Sequence, residues 1–114
     1  MSHLTILPTV VRDAEVLAQS LRSLGLTPLP AQTLQGFAGE SLEVDLALRV
    51  APELLIGWRR AADGRLNLIG DLQRISRHRT LHTLLGRITR AYAAHQAMAD
   101  ASRLLPQVDL QLSV

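Results

Sequence analysis

The chain has 114 residues, 47% of them hydrophobic and 3% aromatic, and it contains no cysteine. That length makes one domain, which buries roughly two-thirds of its unfolded surface without a staple. The missing thiols exclude disulfides, thiolate metal sites and cysteine nucleophiles together. The formal charge is +2, and every one of the twelve basic side chains is an arginine. They are unevenly spread. Residues 1–58 hold three arginines against six acids, whereas residues 59–103 hold nine against three. A field with direction is the consequence.

Taken in chain order, Thr5 to Val10 read as a first strand with Leu4, Ile6 and Val10 on one face. Pro8 cannot donate to a ladder and predicts an edge position or an irregularity in the strand. Asp13 has the chemistry of an N-cap, Glu15 adds first-turn negative charge, and Ala14, Leu17, Leu21 and Leu24 follow at helical spacing. Gly25 supplies the left-handed stop. Residues 26–32 carry two prolines and read as loop or edge, and the two glycines around Phe37 suggest a strand broken by a turn. Leu42, Val44, Leu46, Leu48 and Val50 then alternate with polar or small residues, which predicts one packed and one wet face of an antiparallel sheet. Leu54, Ile56 and Trp58 repeat the pattern. Ala62-Asp63-Gly64 has hairpin chemistry, and the returning strand sets Leu66, Leu68 and Leu72 against Asn67, Ile69 and Asp71.

A basic connector, QRISRHR, precedes a second helix from about Thr80 to Leu105. Its stripe is Leu81, Leu84, Leu85, Ile88, Tyr92, His95 and Ala99, with Arg87, Arg90 and Arg103 off it. Gly86 inside this helix costs about 1 kcal/mol relative to alanine. Pro106 ends it, and Val108, Leu110, Leu112 and Val114 alternate as a last strand. The expectation is a single α+β domain over residues 1–114. It has an antiparallel sheet of about five to six strands with two helices packed on one face, in the order β-α-β-β-β-β-α-β.

Several segments of this pattern resemble one protein family: MSHLTI, Asp13 to Gly25 ending in SLGL, QGFAG, LLIGWRR, GRLNLIGDLQ and RITRAYAAH. Over about residues 1–105 their order and spacing are similar to the hypothetical chloroplast reading frame thirty-five family of cyanobacteria and algal plastids, a domain of unknown function. The chain departs from that family at its end, VDLQLSV, where relatives have a longer charged hairpin, and in using arginine or alanine where relatives use lysine. The resemblance implies a cyanobacterial cytosol, or a plastid stroma for relatives, and brings no catalytic residues with it.

His78 and His82, four apart, put two imidazoles on one side of a helix start, but zinc requires further ligands, so no metal and no cofactor is expected. Tyr92 and His95, three apart, are helix neighbours and form a candidate acid–base pair in a pocket; the same spacing suits an anchor against the sheet. Glu43 and Asp45 stand about 7 Å apart on one strand face, as strand rise dictates, with no nucleophile or metal to join them. No glycine pattern cradles phosphate.

The arginines carry the most chemistry. Arg74, Arg77 and Arg79, with Arg87 and Arg90 on the following helix, present guanidinium forks suited to carboxylates or phosphates. A solvated basic face is the plain alternative. The expected function is therefore a non-enzymatic accessory or adaptor domain that binds an acidic protein partner through these residues. Nucleic-acid binding by the same patch is the first alternative. It is disfavoured because only Phe37, Trp58 and Tyr92 are aromatic and two of them fall on core faces. A small enzyme with a Tyr92/His95 pocket is the second. No apolar run approaches the roughly 20 residues of a membrane span. MSHLTIL also lacks the features of a signal peptide, which predicts a cytoplasmic protein without membrane insertion. A free edge at the first or last strand offers a route to a homo-oligomer.

Overall fold

The computed structural model describes residues 4–35, 39–52, 54–71, 77 and 79–104. Among these residues five strands and two helices follow one another: β1 (Leu4–Leu7), α1 (Ala14–Ser23), β2 (Leu29–Gln35), β3 (Ser41–Ala51), β4 (Leu54–Arg60), β5 (Leu66–Asp71) and α2 (Arg79–Leu104). This is the expected α+β order through its seventh element; the predicted strand at Val108–Val114 lies outside the described residues. All pairings are antiparallel, and the strands stand in the order β1-β5-β4-β3-β2.

Local signals explain α1. Asp13 Oδ1 accepts from the backbone N–H groups of Glu15 and Val16 at 2.9 and 3.2 Å, which satisfies two of the four orphan donors of a helix start. Gly25, at φ +79°, ends the helix, and the N–H of Leu26 reaches back to the carbonyl of Leu21 at 2.9 Å. Such a six-to-one bond is a Schellman closure. Between β4 and β5, Gly64 takes φ +89° and Asp63 Oδ1 accepts from Arg65 N, so the Asp-Gly pair turns the chain as its chemistry requires.

Both helices pack on one face of the sheet. Val16, Leu17 and Leu21 of α1 and Leu81, Ile88 and Tyr92 of α2 share a core with Leu46, Leu48, Ile56, Trp58, Leu66 and Leu68. Leu17 and Leu21 are 0% exposed. Each such side chain contributes about 1.5–3 kcal/mol by leaving water.

Three expectations need correction. The first strand stops at Leu7 rather than Val10: Pro8 supplies no ladder donor, and Val10 is 69% exposed in the connection to α1. Its edge position is as predicted. Next, the alternation of β3 is broken. Leu46 and Leu48 face the helices, but Leu42 and Val44 lie in a second apolar cluster with Leu34, Ala47 and Ile69 on the opposite face. The break falls at Asp45. Ala31, at φ +47°, stands between the pairs Pro30↔Leu46 and Gln32↔Val44, so a left-handed residue opposite Asp45 resets which face the chain presents. Val44 crosses over Gly57, where a Cβ would stand 2.7 Å from Val44 Cγ1. Gly57 is glycine because of that approach. Finally, the face away from the helices is not simply wet, since Ala47 and Ile69 there are 0% exposed.

Candidate functional site

From Leu72 to Ala99 the sequence contains no aspartate or glutamate, and within it lie all five arginines of the predicted surface. Arg79, Arg87 and Arg90 are exposed on α2, and Arg77 is exposed just ahead of it. Arg74 lies outside the described residues. With about 100° per residue, Arg79 and Arg90 fall about 20° apart and Arg87 within about 80°, on the side opposite Leu81, Ile88 and Tyr92. The helix phase set by core packing thus gathers the arginines on one face. They span about 16 Å along the axis.

No acid stands three or four residues from any of the three, so the neutralising pairs of an exposed helix are missing. The guanidiniums of Arg79, Arg87 and Arg90 meet no carboxylate among the described residues; the ion pair of this helix is Arg103 with Asp100, 3.0 Å apart near its far end. Arg77 and Arg79 also stand at the positive end of the helix dipole, and the first turn of α2 has no acidic residue. Like signs add there. Farther along, the Arg90 side chain turns back over Gly86, with Nη1 3.4 Å from where a Cβ would be.

Tyr92 and His95 are brought together, and both bind α2 to α1. The Tyr92 hydroxyl accepts from the backbone N–H groups of Arg12 and Asp13, at 2.9 and 3.2 Å, and donates to Gln96 Oε1 at 3.0 Å. Its hydrogen-bonding capacity is filled, and the residue is 3% exposed. His95 Nδ1 is 2.8 Å from the carbonyl of Ala91 and 3.3 Å from Ser20 Oγ. A carbonyl only accepts, so Nδ1 carries the proton. Ser20 Oγ gives its own proton to the carbonyl of Val16 at 2.7 Å and can receive from His95. His82 is exposed on α2, and His78 lies outside the described residues.

Glu43 and Asp45 are both exposed and line a polar cleft of about 500 Å³ with Gln32, Thr33, Arg59 and Arg60. Asp45 Oδ2 accepts from the backbone N–H of Arg60 at 2.7 Å. Charges of both signs meet around this cleft. That compensation is what the α2 face lacks. The Tyr92 bonds and the Asp45–Arg60 contact join residues far apart in sequence, and no spacing rule points to either.

Residues 20–108 match the family described as "Protein of unknown function (DUF1257)", and the chain belongs to that family. Neither a curated protein nor a solved structure matches it. No helix among the described residues is long and apolar enough to cross a membrane.

Proposed function

We propose that this member of the DUF1257 family is a non-enzymatic adaptor domain whose α2 face, centred on Arg79, Arg87 and Arg90, binds an acidic surface of a partner protein. One observation carries the reading: three exposed arginines share a helix face in a stretch without a single carboxylate. An exposed helix gains about 0.2–0.5 kcal/mol from each acid–base pair at suitable spacing. This face forgoes every such pair and keeps its donors free. Guanidinium forks engage carboxylates two bonds at a time, which gives direction as well as attraction.

Protein is favoured over nucleic acid by the aromatic residues. Trp58 and Tyr92 are each 3% exposed and serve the core, whereas single-stranded nucleic acid is held by exposed rings. Phe37 lies outside the described residues. Binding is favoured over catalysis because the Tyr92 hydroxyl has no capacity left for a substrate. The resemblance to the hypothetical chloroplast reading frame thirty-five family supports a cyanobacterial or plastid setting.

Affinity capture from native lysate, with bound proteins identified by mass spectrometry, tests the proposal. The wild-type domain should retain an acidic protein that the Arg79→Glu, Arg87→Glu, Arg90→Glu variant loses. Retention of the same specific partners by that variant would rule the face out. Salt-sensitive retention of duplex DNA, with a slope of about −0.9 per phosphate neutralised, would instead select the nucleic-acid alternative.

A further inference from the structure

Between the connection from β1 to α1 and the side of α2 lies a cleft of about 310 Å³, lined by Val10, Trp58, Leu68, Leu85, Ile88 and Thr89 among others. A water occupies about 30 Å³, so the space is worth roughly ten waters. No charged side chain among the described residues lines it. Val10 stands 69% exposed at its mouth, an apolar group held in water. Trp58, 3% exposed, contributes an aromatic side chain to the lining. The two threonines of the lining are already engaged, Thr9 donating to the carbonyl of Leu66 and Thr89 to that of Leu85. The cleft thus offers a guest mainly apolar surface.

The cleft and the arginine face are continuous. Leu85 and Thr89 belong to its α2 wall, and Gly86, three residues before Thr89, stands beside it on the helix surface. The Arg90 guanidinium lies across Gly86, where no side chain intervenes. One rim of the apolar cleft is therefore cationic, in a stretch that supplies no acid of its own.

We infer that this cleft is the anchor pocket of the partner surface proposed above: an acidic segment of the partner inserts one apolar side chain beside Trp58 while a carboxylate of the same segment meets Arg90. The inference rests on that proposal and adds the chemistry of the partner. An apolar anchor in a small pocket, ringed by charged contacts, is the usual way a few residues dominate an interface.

Trp58 is the chain's one tryptophan, so intrinsic fluorescence reads the cleft directly. The probes are three acetylated, amidated peptides, Glu-Glu-Leu-Glu-Glu, Glu-Glu-Ser-Glu-Glu and Lys-Lys-Leu-Lys-Lys, together with hexanol. The acidic leucine peptide should shift Trp58 emission and bind about tenfold more tightly than its serine counterpart. Val10→Gln, an exposed and charge-neutral change at the mouth, should erase that difference. Arg90→Gln should weaken both acidic peptides. Equal affinity of the leucine and serine peptides, both weakened by Arg90→Gln, would overturn the anchor pocket and leave the arginine face standing. Acidic peptides unaffected by Arg90→Gln would overturn both. Tight binding of the basic peptide, or a Trp58 response to hexanol alone, would overturn the acidic-segment inference in favour of an apolar ligand.

Discussion

The two helices handle the same electrostatic problem in opposite ways. Helix α1 has Asp13 at its cap, Glu15 in its first turn and Arg22 in its last, each charge placed against the dipole that attracts it. Five of its ten residues are buried. Helix α2 begins with Arg79, has no acid in its first turn, and among its 26 residues buries Leu81, Ile88 and Tyr92. At about 1.5 Å per residue it is about 39 Å long, far more length than those three contacts require. One helix is built to hold the domain together. The other gives up local stabilisation and displays cations, and that contrast is the strongest argument that its outer face serves another molecule.

The contrast can be broken or sharpened by substitution. The largest effect belongs to the packed helix: Leu17→Ala, at a 0% exposed position, should lower unfolding free energy by about 3–4 kcal/mol in urea titrations. Tyr92→Phe comes next. It leaves the N–H groups of Arg12 and Asp13 without their shared acceptor and should cost about 2 kcal/mol, with faster hydrogen exchange at those two amides. An unchanged exchange rate there would mean that α1 is not held by α2. Asp13→Ala removes a cap bonded to two amides and should cost about 1 kcal/mol, read as a lower midpoint of unfolding. The smallest effect has the opposite sign. Arg79→Glu places an acid in the first turn of α2 and should stabilise the isolated domain by about 0.5 kcal/mol while weakening partner capture. A domain that became less stable would show that Arg79 serves the fold.

Much of this was legible in the sequence because it depends on neighbours. Asp13 and Gly25 mark the ends of α1 by chemistry that acts within three residues. Asp63-Gly64 marks its turn in the same way. The arginine face was legible too, since charge needs no fold and the helix phase follows from Leu81, Ile88 and Tyr92. The break in β3 was not. Leu42, Val44, Leu46 and Leu48 alternate as perfectly as an unbroken strand would. The reset depends on Ala31 across the ladder and on the space over Gly57, both distant in sequence. The anchor cleft was equally hidden. Val10 read as part of a strand face and Trp58 as plain core, and only the departure of residues 8–11 from the ladder opens space between them and α2.

The Tyr92 contact has a consequence for the order in which the molecule is made. Arg12 and Asp13 wait for an oxygen 79 to 80 positions downstream. β1 waits for β5, and Val11 receives its backbone bond from Leu66. On a ribosome adding roughly 5–20 residues per second, the interval from Asp13 to Tyr92 lasts roughly 4–16 s. During that time the β2–β3–β4 meander can close on itself, since each strand pairs with the next. The opening segment is thus the first part synthesised and among the last to find its place. Until it does, the mouth formed by Val10 does not exist, and the cleft beside Trp58 stays open on that side.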